Sequence, residues 1–86
     1  MSDGESSDEL TSGVARALNQ FGMRVQALRL KLTLTQEAAA AIAMIEEKHW
    51  RDIEDARTDP TVATLVGVAR ALKVTLSELF GHGGEK

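Results

Sequence analysis

The sequence contains no cysteine, no tyrosine and a single proline, and only 3% of its 86 residues are aromatic. Without cysteine, the chain can form neither a disulfide nor a thiolate metal site. No apolar run approaches the roughly 20 residues that a membrane-spanning helix needs, and the acidic start does not resemble a secretory signal. We therefore expect a soluble, cytoplasmic protein with one small domain, close to the size at which a single core is just sufficient.

The charge of the chain is unevenly distributed. The formal net charge is −3, and residues 1–9 carry four acidic residues and no basic one. The remainder is close to neutral, so charge alone does not indicate nucleic-acid binding. We expect residues 1–10 to form a disordered acidic tail, which is either simply solvated, the interpretation we favour, or competes with DNA phosphates. Residues 81–86 are expected to be a flexible C-terminal tail.

Between these tails, the apolar residues recur every three or four positions, which is typical of helices, and no segment alternates like a strand. The first helix is predicted to start at Thr11, and Gly22 within it indicates a bend or a close contact. Its apolar face holds Val14, Leu18, Phe21, Val25, Leu28 and Leu32. The last helix has Thr75 as its predicted cap and Glu78 as the capping-box partner. Residues 11–80 are therefore predicted to form one all-α domain with five helices.

The segment from Thr35 to Arg57 allows two interpretations, because no glycine or proline interrupts it. Local propensity supports one continuous helix, which at 1.5 Å per residue would be about 33 Å long. Such a helix is too long for a compact bundle of this size unless the chain dimerises. We therefore favour two helices, at residues 35–42 and 46–56, with a turn between them.

No combination of residues indicates an active site. The two histidines, His49 and His82, are far apart in sequence, and neither a metal-binding spacing nor a glycine-rich phosphate loop is present. We expect no enzymatic activity, no cofactor and no metal ion.

Several short motifs follow one another in a specific order from Leu28 to Phe80. They are "LR" and "LTQE", then "IE" with a proline six residues after its glutamate, then "ATL", "ARAL" and "LSELF". In this order and spacing the segment resembles the Xre/Cro-type, lambda-repressor-like helix-turn-helix family. The resemblance implies a compact five-helix bundle whose second and third helices form the helix-turn-helix motif.

The resemblance also implies a function and a site. The family consists of transcriptional regulators that bind double-stranded DNA sequence-specifically, generally as homodimers on near-palindromic operators. The residues matching Arg29 and Glu54 form a structural ion pair in the family, and the residue matching Gln36 contacts a phosphate or braces the recognition helix. The candidate DNA-binding residues are Thr35, Gln36, Glu46, Glu47, Lys48, Arg51, Asp52 and Arg57.

Five positions depart from the family pattern. Met44 occupies the turn, where glycine is usual, and Glu46 replaces the usual serine or threonine cap. Ala56 replaces a glycine after the recognition helix, so we expect that helix to extend by part of a turn. Ala39 is smaller and Trp50 larger than the usual core residues, and we expect the two to compensate for each other.

Two features of the sequence each allow two interpretations. The acidic recognition helix also fits a protein-interaction or antitoxin-like module that has weak or no DNA binding and a protein partner. In addition, Val14, Leu18 and Phe21 precede the family's usual first helix. They belong either to the core, which we slightly favour, or to a dimer surface.

Overall fold

The structure, a computed structural model, describes residues 3–81, with side chains from Ser12 onwards. This part of the chain contains five helices and no strand, which confirms the predicted all-α class. None of these helices is long and apolar enough to cross a membrane. The helices are α1 (Asp3–Lys31), α2 (Gln36–Ala43), α3 (Glu47–Glu54), α4 (Val62–Leu72) and α5 (Leu76–Leu79).

Helix α1 begins at Asp3, whereas the sequence predicted a start at Thr11 and a disordered segment before it. Residues 1–2 and 82–86, including His82, lie outside the described residues, so the C-terminal tail beyond Gly81 stays a prediction.

The core lies where the five helices meet. Ala39 and Trp50 are both completely buried in it, as expected if the small residue makes room for the large one. The whole buried apolar cluster consists of Val25, Ala39, Ala40, Ala43, Trp50, Ile53, Leu65, Val68, Ala69, Ala71, Leu72 and Leu79.

The early apolar residues of α1 are divided between core and surface. Phe21 packs against the core and stacks on Phe80, with ring centroids 5.2 Å apart. Leu18 is half-buried, whereas Val14 is 51% exposed. The expectation that all three belong to the core is therefore wrong for Val14, because α1 extends beyond the helices that could cover it.

Two glycines allow helices to approach one another closely. A Cβ atom on Gly22 would lie 2.5 Å from the backbone carbonyl oxygen of Glu54, so this glycine brings α1 against the end of α3. A Cβ atom on Gly67 would lie 2.6 Å from the carbonyl oxygen of Ala43. The absence of a side chain at Gly67 therefore lets α4 approach the end of α2. Of the two alternatives that the sequence left open for Gly22, a bend or a close contact, the structure shows the close contact.

The first four helices end in the same way, with a left-handed residue that is not glycine. These residues are Thr33, Met44, Ala56 and Lys73, with φ values of 56°, 64°, 60° and 60°. Each is followed by a residue whose backbone N–H bonds to a carbonyl five positions back, the hydrogen bond that defines a Schellman motif. A left-handed conformation costs a non-glycine residue about 1–2 kcal/mol, so these turns are maintained by the packing of the helices around them.

This turn geometry shows whether the segment from Thr35 to Arg57 forms one helix or two, and where α3 ends. Met44 ends α2, and the N–H of Ile45 donates to the carbonyl of Ala40 at 3.0 Å, so the continuous helix is wrong. Ala56 itself adopts the left-handed conformation, and the N–H of Arg57 donates to the carbonyl of Asp52 at 2.8 Å. Helix α3 therefore ends at Glu54, and its expected extension is also wrong.

Candidate nucleic-acid interface

The start of α2 is tied to the end of α3 by two adjacent residues. The Oγ1 atom of Thr35 accepts a hydrogen bond from the N–H of Ala38 at 3.0 Å, which caps α2 as predicted. The side-chain amide of Gln36 donates to Oε1 of Glu54 at 2.8 Å. Of the two roles that the family resemblance suggested for Gln36, this geometry corresponds to the brace.

Glu54 is the centre of a buried hydrogen-bond network on the inner side of α3. Arg29 donates to both carboxylate oxygens, with Nε at 2.6 Å and Nη2 at 3.1 Å, which confirms the predicted ion pair. The same guanidinium donates through Nη1 to the carbonyl of Leu34 at 2.8 Å. The indole N–H of Trp50 donates to Oε2 at 2.6 Å. The four-residue spacing of Trp50 and Glu54 places both on one face of α3 and is the only signal of this bond in the sequence.

The network determines the charge state of Glu54. Burial by itself raises the pKa of this carboxyl group, because it disfavours the charged form. The hydrogen bonds from Arg29, Trp50 and Gln36, together with the charge of Arg29, outweigh that effect and hold the pKa below its ordinary value of 4.5. Glu54 is therefore ionised at neutral pH and fixes the orientation of α3 relative to α1 and α2.

The outer side of α3 begins at Glu46. This residue has the extended backbone of an N-cap, with φ −72° and ψ 150°, but its side chain makes no capping hydrogen bond, so it is the poor cap that the sequence predicted. Glu47, Lys48 and Arg51 follow and are exposed, whereas Trp50 of the same helix is completely buried. Helix α3 is therefore strongly amphipathic, with a polar face available to a partner.

Both basic residues of α3 are paired with acidic residues of the same helix. Nη2 of Arg51 lies 3.2 Å from Oε2 of Glu47, and Nζ of Lys48 lies 3.0 Å from Oδ2 of Asp52. Three of these side chains are exposed and Asp52 is half-buried. The spacing of four residues would have indicated both pairs in the sequence. The exposed face therefore presents each positive charge beside a negative one.

All eight candidate residues belong to the α2–turn–α3 unit or flank it. Arg57 lies in the turn that follows α3 and is exposed. Among the side chains that the structure describes, from Ser12 to Gly81, no group of histidine and acidic residues could hold a metal ion. Thr35, Glu46, Glu47, Lys48, Arg51 and Arg57 are exposed, whereas Gln36 and Asp52 are half-buried.

Comparison with known families agrees with this geometry. A family model described as a helix-turn-helix domain matches residues 20–79, which include all of α2, α3, α4 and α5. The chain therefore belongs to the helix-turn-helix domain family, and the Xre/Cro-type resemblance predicted from its motifs is confirmed.

Individual relatives are consistent with that assignment. The chain is 37% identical over 61 residues to the immunity repressor protein of Bacillus phage phi105. The aligned residues make up 71% of this chain and 42% of the repressor. The chain thus spans less than half the length of that relative.

Two solved structures share the fold. The restriction-modification controller protein C.AhdI of Aeromonas hydrophila superimposes with a TM-score of 0.71 at 26% identity, over 72% of this chain and 94% of the controller. A transcriptional regulator of the HTH_3 family from Vibrio cholerae gives a TM-score of 0.74 at 24% identity, over 81% of this chain and 39% of the regulator. At that identity the second likeness concerns the fold alone.

Proposed function

We propose that this chain is a non-catalytic, cytoplasmic transcriptional regulator that binds double-stranded DNA sequence-specifically through the outer face of α3. The observation that carries this proposal is the division of α3 into a buried side fixed by Glu54 and an exposed polar side beginning at the helix N-terminus. A helix fixed from behind can be presented to the major groove without losing its orientation. The similarity to a phage immunity repressor supports the same function.

The candidate residues then divide into positioning and base-reading roles. Gln36 and Thr35, at the start of α2, would lie near the phosphate backbone, where helix N-termini favour negative charge. Glu46, Glu47, Lys48, Arg51 and Asp52 would face base edges or flanking phosphates. Arg57, which is exposed just after α3, would contact the backbone.

We further propose that the protein binds a near-palindromic operator as a homodimer. Dimers of this motif contact half-sites about 34 Å apart, and a single α3 of eight residues reaches few bases. The face formed by α1 and α5 is a candidate dimer surface, because Phe80 is 47% exposed and lines a groove of about 410 Å³ together with Ala17 and Phe21 of α1. Val14, further along α1, is 51% exposed. Sedimentation at several protein concentrations should show a dimer, and a Phe80→Ala variant should shift it towards monomer.

The DNA-binding function can be tested by selecting bound sequences from a randomised DNA pool. The affinity of the protein for the most enriched sequence is then measured by gel-shift titration. We expect a defined motif and an affinity at least about a thousandfold above that for random duplex at the same salt. Affinity that is weak and indifferent to sequence would contradict the proposal and favour the protein-interaction module instead.

A second test reverses one charge on α3 and compares it with the same reversal on α1 as a matched control. Arg51→Glu should abolish specific binding, since it places a third acidic residue beside Glu46 and Glu47. Arg16→Glu makes the same change in charge on an exposed part of α1. Arg16 lies about 22 Å along α1 from Lys31, the end nearest α2, so this variant should bind as the wild type does. Equal loss in both variants would indicate a non-specific charge effect.

A further inference from the structure

The two ion pairs on the outer face of α3 are unexpected in a helix that contacts DNA, because they pair its basic side chains with carboxylates. Arg51 and Lys48 would supply its attraction for phosphates, yet each is held within 3.2 Å or less of a carboxylate on the same helix. Exposed pairs of this kind contribute little to folding. Their effect should therefore be sought in what the helix does to DNA.

Sequence-independent affinity comes from basic residues that neutralise phosphates and release counterions. A basic residue already paired with an acidic one contributes little to that effect, and the acidic residue repels the phosphates. Glu46 adds a further carboxylate at the same end of α3, and it is not used in capping. The outer face of α3 is therefore built to bind arbitrary DNA poorly.

The pair formed by Glu47 and Arg51 has a specific complement in the major groove. Its head groups lie side by side, with an acceptor 3.2 Å from a donor. A G·C base pair presents two acceptors, O6 and N7 of guanine, next to a donor, the N4 amino group of cytosine. Arginine binds the guanine edge through two hydrogen bonds, and a glutamate accepts from cytosine N4.

On the basis of the proposed function, we propose that Glu47 is a specificity-determining residue. On random DNA it stays paired with Arg51 and suppresses binding. On the operator, Arg51 exchanges Glu47 for guanine while Glu47 accepts from the cytosine amino group of that base pair. The operator half-site thus contains a G·C pair opposite the first turns of α3.

The test compares wild-type protein with Glu47→Gln, which removes the charge but retains the shape of the side chain. In this variant Arg51 is free to neutralise one more phosphate, and each such contact contributes about 0.9 to the slope of log affinity against log salt. The affinity for random duplex should therefore rise by up to about eightfold at 0.1 M salt. The plot of log affinity against log salt should steepen by about one unit. Sequence selection with the variant should show weaker preference at one G·C position.

Asp59→Asn is the matched control. Asp59 is also an exposed acidic residue, but it is not part of α3 and lines a groove with Ala17, Leu18 and Phe21 of α1. We expect this variant to change affinity for random duplex by less than twofold and to select the wild-type motif. An equal gain in both variants would overturn the proposal, because it would show an effect of net charge alone.

The remaining outcomes separate this proposal from the proposed function. If the wild type selects a motif and Glu47→Gln selects the same one with unchanged affinity for random DNA, the role of Glu47 is overturned and the regulator function stands. Preference for A·T at the affected position would likewise overturn the exchange with guanine. If the wild type selects no motif at all, both proposals fail.

Discussion

The inner side of α3 carries one ion pair, at 2.6 Å, and the outer side carries two, at 3.0 and 3.2 Å, but the surroundings of these pairs differ. On the inner side, the side chains of Arg29 and Glu54 are 9% and 1% exposed. On the outer side, those of Arg51 and Glu47 are 48% and 43% exposed. Removing one partner of a buried pair costs about 3–5 kcal/mol, whereas an exposed helical pair contributes about 0.3–0.5 kcal/mol. The same interaction therefore fixes the fold on one side and remains available for exchange on the other.

The largest effect is expected from Glu54→Ala, which breaks the inner side. It leaves the Arg29 guanidinium and the Trp50 indole N–H buried without their acceptor, and we expect a loss of about 3–5 kcal/mol in the free energy of unfolding. Urea denaturation followed by circular dichroism and by the fluorescence of Trp50, the only tryptophan, measures it. If the variant does not fold at all, Glu54→Gln provides a milder change. A loss below about 1 kcal/mol in both variants would show that the network does not fix α3.

A second prediction tests how closely α1 approaches the inner side. In Gly22→Ala, the added methyl group would lie 2.5 Å from the Glu54 carbonyl oxygen, and backbone cannot move aside as a side-chain end can. We expect a loss of about 1–3 kcal/mol in the free energy of unfolding, as for other overpacked sites.

Gly13→Ala is the matched control for this substitution in the same helix. Apart from its chain neighbours and the backbone of its own helix, no described atom lies within 4 Å of the position that its Cβ would take. Helix propensity should then stabilise the protein by up to about 1 kcal/mol. In thermal unfolding, we expect Gly22→Ala to lower the melting temperature and Gly13→Ala to raise it. A change of the same sign in both variants would contradict the close contact between α1 and α3.

The charge of Glu54 predicts how stability depends on pH. Its pKa is lower in the folded protein than the ordinary value of 4.5, so the unfolded chain binds the proton first as the pH falls. The stabilisation is thus complete above pH 4.5 and is lost as the pH falls through the folded pKa. Urea denaturation at several pH values below 5 should show a steeper decline for the wild type than for Glu54→Gln. Parallel curves would indicate that Glu54 does not contribute.

The inner side of α3 could be predicted from sequence better than its ends. The pairing of Arg29 with Glu54 followed from the family resemblance, and the turn at Met44 followed from its neighbours. The end of α3 was misplaced because Ala56 adopts a conformation that normally indicates glycine. Local sequence gives no signal for such a turn, since packing around the helix ends imposes it. The register of the exposed ion pairs was in the sequence, at a spacing of four, but their consequence depended on seeing which face of α3 is exposed.

The smallest effect is expected from breaking the outer side. In a double-mutant cycle with Glu47→Gln and Arg51→Gln, the coupling free energy should be about 0.5 kcal/mol or less, and 1 M salt should remove most of it. Chemical denaturation of the four proteins measures this value, and Trp50 reports unfolding in each. A coupling above about 1 kcal/mol would mean that the two side chains are held together too strongly to exchange for a base pair. A small coupling, combined with a large effect of the same substitutions on DNA selection, would establish that this side of α3 serves recognition and the other side the fold.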